Sequence, residues 1–122
     1  MMVRKHIQIA VSALISRMFC LVLIQGSLAG DLKAIAVLVP EQGTDYGWNQ
    51  QGVDAARAVA EKHGLEFMPA EGLGYGDVRP TLRGLAEDGA GLMIAHASGY
   101  NTAAPEIAKE TGVPVAIVDT PE

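Results

Sequence analysis

Asp45, Tyr46, Trp48 and Asn49 fall within five residues, between an apolar run and a stretch with helical spacing. A carboxylate and an amide that close can hydrogen-bond the hydroxyls of a ligand such as a ribose, and Tyr46 or Trp48 can stack on a planar ring. The same residues also suit the start of a helix, with Asp45 capping, Asn49 exposed in the first turn and Trp48 packed on a sheet; both readings stand. A second cluster, AHASGYN, places His96, Ser98, Tyr100 and Asn101 together. His96 and Ser98 on an extended chain point to one side, but no GxSxG elbow accompanies them and two residues do not make a triad. The cluster therefore reads as a polar rim for a ligand, with His96 itself a partly buried, satisfied histidine. Asp119, after the last apolar run, is either a ligand contact or the cap of a following helix.

Other chemistries find little support. The glycine-rich stretch EGLGYGD at 71–77 carries Asp77 where a dinucleotide fingerprint needs its third glycine, and an acidic loop is a poor phosphate cradle; it reads as a flexible connection. His63 and His96 belong to different elements and no carboxylate–histidine spacing recurs, so no metal site and no cofactor are expected.

Residues 1–29 carry Arg4, Lys5 and Arg17, no acid, and a large share of apolar side chains, ending in Ser27-Leu28-Ala29. This is the pattern of an export signal, with cleavage expected after Ala29. Arg17 interrupts the apolar stretch and would cost about 2.5–3.5 kcal/mol at the centre of a spanning helix, which argues against a permanent membrane anchor. Cys20, the only cysteine, follows Arg17-Met18-Phe19, which is too bulky and charged for a lipoprotein box. It reads as part of the signal, leaving a cysteine-free chain without disulfides or thiol chemistry. The signal holds three of the nine basic residues and none of the fourteen acidic ones, so six bases face fourteen acids beyond it, a net charge of −8. Such a surface repels nucleic acid and anionic lipid.

The elements that must position the clusters follow from the hydrophobic pattern. Apolar runs at 33–39, 65–68, 91–95 and 113–118 predict four strands, and amphipathic stretches at 48–63, after Asp77, and at 103–110 predict three helices between them. Strictly alternating strands and helices with short connections predict an α/β fold, an open, doubly wound parallel sheet. In such sheets ligands bind beyond the carboxyl ends of the strands, which is where both clusters and Asp119 fall. A fourth strand followed by only four residues leaves one face without a covering helix. The expectation is thus a partial amino-terminal lobe over 30–122, holding half a site, binding weakly and tending to associate.

The strand AIAVLVP, the segment TDYGWNQ opening a helix, LMIAHASGYNTAAPEIAKE and PVAIVD together, in this order, resemble the BMP family (basic membrane protein, or purine nucleoside receptor A type) of substrate-binding proteins for ABC transporters, over essentially all of residues 33–120. The resemblance implies a two-lobed type I periplasmic-binding fold, a purine nucleoside or related small polar ligand between the lobes, and delivery to an ABC permease in the inner membrane. It implies a periplasmic or otherwise extracytoplasmic location. By position it points to Asp45, Trp48, Asn49 and Asp119 as contacts, followed by Tyr100. The segment at 95–100 departs from the glycine-rich, phenylalanine-containing stretch of many relatives, and no lipobox is present. The alternatives are a ligand-sensing receptor domain, and an enzyme on the same kind of sheet, although no nucleophile elbow, P-loop, dinucleotide fingerprint or metal cluster supports the latter.

Overall fold

The computed structural model describes residues 31–119, and all its elements lie in the unit Leu32–Glu122. The signal reading of residues 1–29 lies outside the described residues. Strand β1 (Ala34–Leu38) leads to helix α1 (Trp48–His63), β2 (Glu66–Ala70), α2 (Arg79–Glu87), β3 (Leu92–Ala95), a 3-10 turn (Ser98–Tyr100), α3 (Ala103–Thr111) and β4 (Val115–Ile117). The four strands form one parallel sheet in the order β2-β1-β3-β4. The α/β fold read from the sequence is the one observed.

β1 is buried throughout because it is central and both its faces are covered. Its alternate side chains serve two cores. Val37, and Val39 just past the strand, meet Val53 and Ala56 of α1, while Ala36 and Leu38 join Leu82 of α2, Met93 and Ala95 of β3, and Ala104 and Ile107 of α3. α1 ends at Gly64 and α3 at Gly112, both in the left-handed region (φ 63° and 74°) that glycine adopts without a Cβ penalty. On the outer surface Arg79 pairs with Glu106 at 2.8 Å and Arg83 with Glu110 at 2.7 Å, clipping α2 to α3. Beside α1, an apolar groove of about 380 Å³ runs along Ile35, Val59, Leu92, Ile94 and Val118.

Several boundaries differ from the sequence reading. β2 runs on to Ala70 through Pro69, where a strand was expected to stop at Met68. Glu66 N donates to Lys33 O, and Val39 N donates to Ala70 O, so the even-numbered residues of β2 make the ladder to β1. β2 is the edge strand, so the nitrogen of Pro69 faces away from β1 and no ladder bond is lost. α2 begins at Arg79 rather than directly after Asp77, whose Oδ1 accepts the Arg79 N–H at 3.1 Å. β4 is only Val115–Ile117. His63, the last residue of α1, is exposed. Among the described residues, no helix is long and apolar enough to cross a membrane.

The strand order has one consequence for function. From β1 the chain moves to β2 on one side and then crosses back to β3 on the other. The sheet's topological switch point therefore lies between β1 and β3, where the loops after these two strands diverge and open a crevice.

Candidate functional site

The loop from β1 to α1 is organised by Asp45. Its Oδ1 accepts the backbone N–H groups of Gly47 (2.9 Å) and Gln50 (3.0 Å), and its Oδ2 accepts from the Asn49 backbone (3.2 Å) and side-chain amide (2.7 Å). Asp45, two residues before the N-cap Gly47, thus answers two unpaired donors of the first turn of α1, the Asn49 and Gln50 N–H groups. These bonds, the Asn49 amide foremost and then the Gln50 N–H, hold its carboxyl well below the usual carboxylate range. A depressed folded-state pKa stabilises the fold fully above the ordinary value of about 3.9, and that contribution is lost as pH falls below it toward the folded-state value. Asp45→Asn should lower the melting temperature at neutral pH by several degrees and flatten the acid limb of the stability curve, read by circular dichroism between about pH 5 and 2. An unchanged acid limb would contradict this role.

Asn49 is 6% exposed, not solvated as a first-turn residue would be, and its Oδ1 accepts the Glu41 N–H at 3.4 Å. Tyr46 has φ 54°, a left-handed conformation that costs a non-glycine residue about 1–2 kcal/mol. Its N–H donates to Gln50 Oε1 at 3.0 Å, and its ring is 95% exposed.

Trp48 reaches across the switch point to the loop after β3. Its Nε1 donates to the His96 carbonyl oxygen at 3.2 Å, and the two rings stack at 4.3 Å between centroids with planes 21° apart. His96 Nε2 lies 2.9 Å from the Trp48 carbonyl oxygen, which can only accept, so the proton sits on Nε2. His96 is 7% exposed, and among the described residues no hydrogen bond joins its ring to Ser98.

Around this pair lies a cleft of about 280 Å³ lined by Glu41, Trp48, Asn49, Tyr75, Ala97 and Ser98. The loops after β1, β2 and β3 all contribute. A hollow of about 430 Å³ is larger, but a single segment lines it, Tyr46, Gly47, Gln50, Gln51 and Asp54. A site built from three loops at a switch point is the better candidate, because ligand recognition needs groups converging from several directions.

Of the residues singled out by sequence, Trp48, Asn49 and Ser98 line the cleft, and Asp45 braces its wall from behind. Tyr46 turns toward the other hollow, and exposed Asp119 lies after β4, outside the cleft lining. Tyr100 is fully buried; its hydroxyl donates to the Gly74 carbonyl at 2.7 Å, so it is a core residue tying two loops together. The connection at 71–77, expected to be flexible, is held at several points. Glu71 Oε2 accepts the Gly43 N–H at 2.6 Å, Gly72 N donates to Glu41 O, and Gly74 N donates to Pro40 O. That bracing carries Tyr75 to the cleft, against Gly99. Glu41 and Tyr75 went unrecognised in the sequence; their positions just after β1 and β2 were the available signal.

The charges around the cleft are one-sided. Among the described residues Glu41 is its only charged lining residue, while Asp45, Glu71 and Asp77 occupy the neighbouring loops. Of the basic side chains described, Lys33 precedes β1 at the opposite sheet edge, Arg57 lies over Phe67, and Lys62 and Lys109 sit in last helical turns. Arg79 is engaged by Asp77 and Glu106, and Arg83 by Glu110. Among the described residues an anionic ligand would find no cation at the cleft, whereas an uncharged or positively charged one would meet no repulsion. Among the same residues, no group of three or more His, Cys, Asp or Glu could hold a metal ion.

Fold and cleft together define a doubly wound α/β unit with a crevice at its switch point. Among solved structures, the chain is similar to an ABC transporter system solute-binding protein from Conexibacter woesei DSM 14684, with a TM-score of 0.59 and 20% identity. The match covers 70% of this chain and 28% of that one, so this chain spans well under two thirds of its neighbour's length; at that identity the likeness establishes the fold. No family model and no curated protein matches the sequence.

Proposed function

We propose that the chain is the ligand-facing part of a solute-binding component of an ABC importer, working outside the cytoplasm and passing a small molecule to a membrane permease. The observation that carries this reading is the three-loop cleft at the β1/β3 switch point, on a fold shared with a solute-binding protein. The finer proposal, which rests on the resemblance to the BMP family, is a purine nucleoside or a related small polar ligand. Trp48 and Tyr75 offer aromatic surface to a base, and Glu41, Asn49 and Ser98 offer polar groups to hydroxyls. With Glu41 as the charged group described at the cleft, the nucleoside is favoured over its phosphorylated forms.

Thermal unfolding in the presence of nucleosides, nucleotides, sugars and amino acids tests the proposal. A ligand that binds only the native state stabilises it by RT ln(1 + [L]/Kd), about 2.7 kcal/mol at a hundredfold excess over Kd. The expected outcome is a shift with an uncharged nucleoside at millimolar concentration and none with its monophosphate. Equal shifts with both, or a shift only with the monophosphate, would overturn the electrostatic argument; no shift across the panel would overturn the binding role.

A further inference from the structure

We propose that His96 is a positioning residue, which locks Trp48 into place as a wall of the cleft and so sets the shape a ligand meets. Three independent contacts converge on this pair. The indole Nε1 donates to the His96 carbonyl, the imidazole Nε2 donates to the Trp48 carbonyl, and the rings stack at 4.3 Å. The imidazole is closed in further by α1 itself. A Cβ built on Gly52 would lie 2.5 Å from His96 Cδ2 and 2.7 Å from its Cγ, so the ring rests directly on the helix backbone one turn beyond Trp48.

The geometry has a mechanical meaning. Trp48 is 36% exposed, and a tryptophan that open could choose among several rotamers. Here the indole N–H is tied to the loop after β3 and one ring face is occupied by imidazole, leaving one orientation. A ligand therefore meets a preformed aromatic wall, and the entropy of ordering that side chain is not charged against binding. The reciprocal bonds also join the first turn of α1 to the end of β3, the two elements that border the switch point. His96 touches no ligand in this scheme; it acts through Trp48. The consequence for selectivity rests on the cleft being the ligand site, while the locking itself does not.

Trp48 is the only tryptophan in the chain, so its emission reports on this pair alone. His96→Leu keeps bulk but removes the donor; His96→Gln restores an N–H at similar reach. In the unliganded chain, the leucine variant should shift Trp48 emission to the red and raise its quenching by acrylamide, with the far-ultraviolet circular dichroism unchanged. The glutamine variant should stay close to the original on both counts. Affinity for an uncharged purine nucleoside should fall about tenfold in the leucine variant, which corresponds to about 1.4 kcal/mol. Emission and quenching unchanged in both variants would overturn the proposal, because simple space filling would then suffice; equal release in both would overturn the part given to the Nε2–H donor and leave the lock to the ring stack. Should the leucine variant not fold, nitrogen-15 spectra of the unaltered chain decide. The Nε2-protonated tautomer and slowed exchange of the indole N–H are expected, and an indole exchanging at the unprotected rate would overturn the lock. A Trp48 that behaves as expected but responds to no nucleoside, sugar or amino acid would support the lock and defeat only the importer reading.

Discussion

Replacing Tyr100 by alanine should cost about 3–5 kcal/mol, the range for removing a large buried aromatic side chain. Against a total folding stability of about 5–15 kcal/mol, that is enough to unfold a large fraction of the molecules at physiological temperature. The size of the effect follows from position. Tyr100 is fully buried in the core shared by β1, β3, α2 and α3, and its hydroxyl is bonded at 2.7 Å to Gly74 in the loop after β2. Tyr100→Phe separates the two contributions, since it keeps the ring and loses the bond, at about 0.5–1.5 kcal/mol. Burial, with a smaller contribution from Tyr75, pushes the phenol up to about 12. A raised folded-state pKa gives stability that is present below the ordinary value of 10.0 and is lost as pH rises through about 12. Absorbance at 295 nm should therefore show a late tyrosine titration that disappears in Tyr100→Phe. An alanine variant as stable as the original, in urea unfolding, would remove Tyr100 from the core.

The second large effect is expected at Gly52. In an exposed helix interior, glycine to alanine gains about 1 kcal/mol, because alanine has the higher helix propensity. Gly52 is buried in α1, and the new Cβ would lie well inside the van der Waals contact distance of three atoms of the His96 ring. Pushing that ring away strains the stack with Trp48 and both reciprocal hydrogen bonds. Gly52→Ala should thus destabilise by about 1–3 kcal/mol, the cost of overpacking. The sign is the test. Gly84, also helical, has nothing within 4 Å of the position a Cβ would take, so Gly84→Ala provides the control that should stabilise. Denaturant midpoints that rise in both variants would show that His96 has room to move.

Tyr100 and Gly52 owe their importance to neighbours that are distant in sequence. Strand and helix order were legible because β1 is a nearly unbroken apolar run and α1 carries a clear helical period ending at Gly64. The fold class followed from that alternation. Pro69 hid the end of β2, since only the strand's place at the sheet edge makes a proline harmless there. The order β2-β1-β3-β4 decides which loops face each other, and no local pattern encodes it. For that reason Trp48 and His96, 48 residues apart, were each given a plausible separate role, while their mutual bonds were invisible. Tyr46 and Trp48 looked equivalent in sequence, yet the left-handed turn at Tyr46 sends its ring away from the cleft. Tyr100 looked like a rim residue because a polar cluster surrounds it, but the 3-10 turn at Ser98–Tyr100 turns it inward. Tyr75 arrived at the cleft through backbone bonds in the loop after β2, which a glycine-rich sequence does not announce.

The proposed function depends on one edge of the sheet meeting a small molecule. The most direct measurement is a nitrogen-15 chemical-shift titration of the full chain with an uncharged purine nucleoside at millimolar concentration. The prediction is a saturable set of shifts centred on the Trp48 indole N–H, the Asn49 side-chain amide and the backbone of Tyr75, Ala97 and Ser98, the residues that line the cleft. Shifts clustered elsewhere, or none at any of these positions, would contradict it.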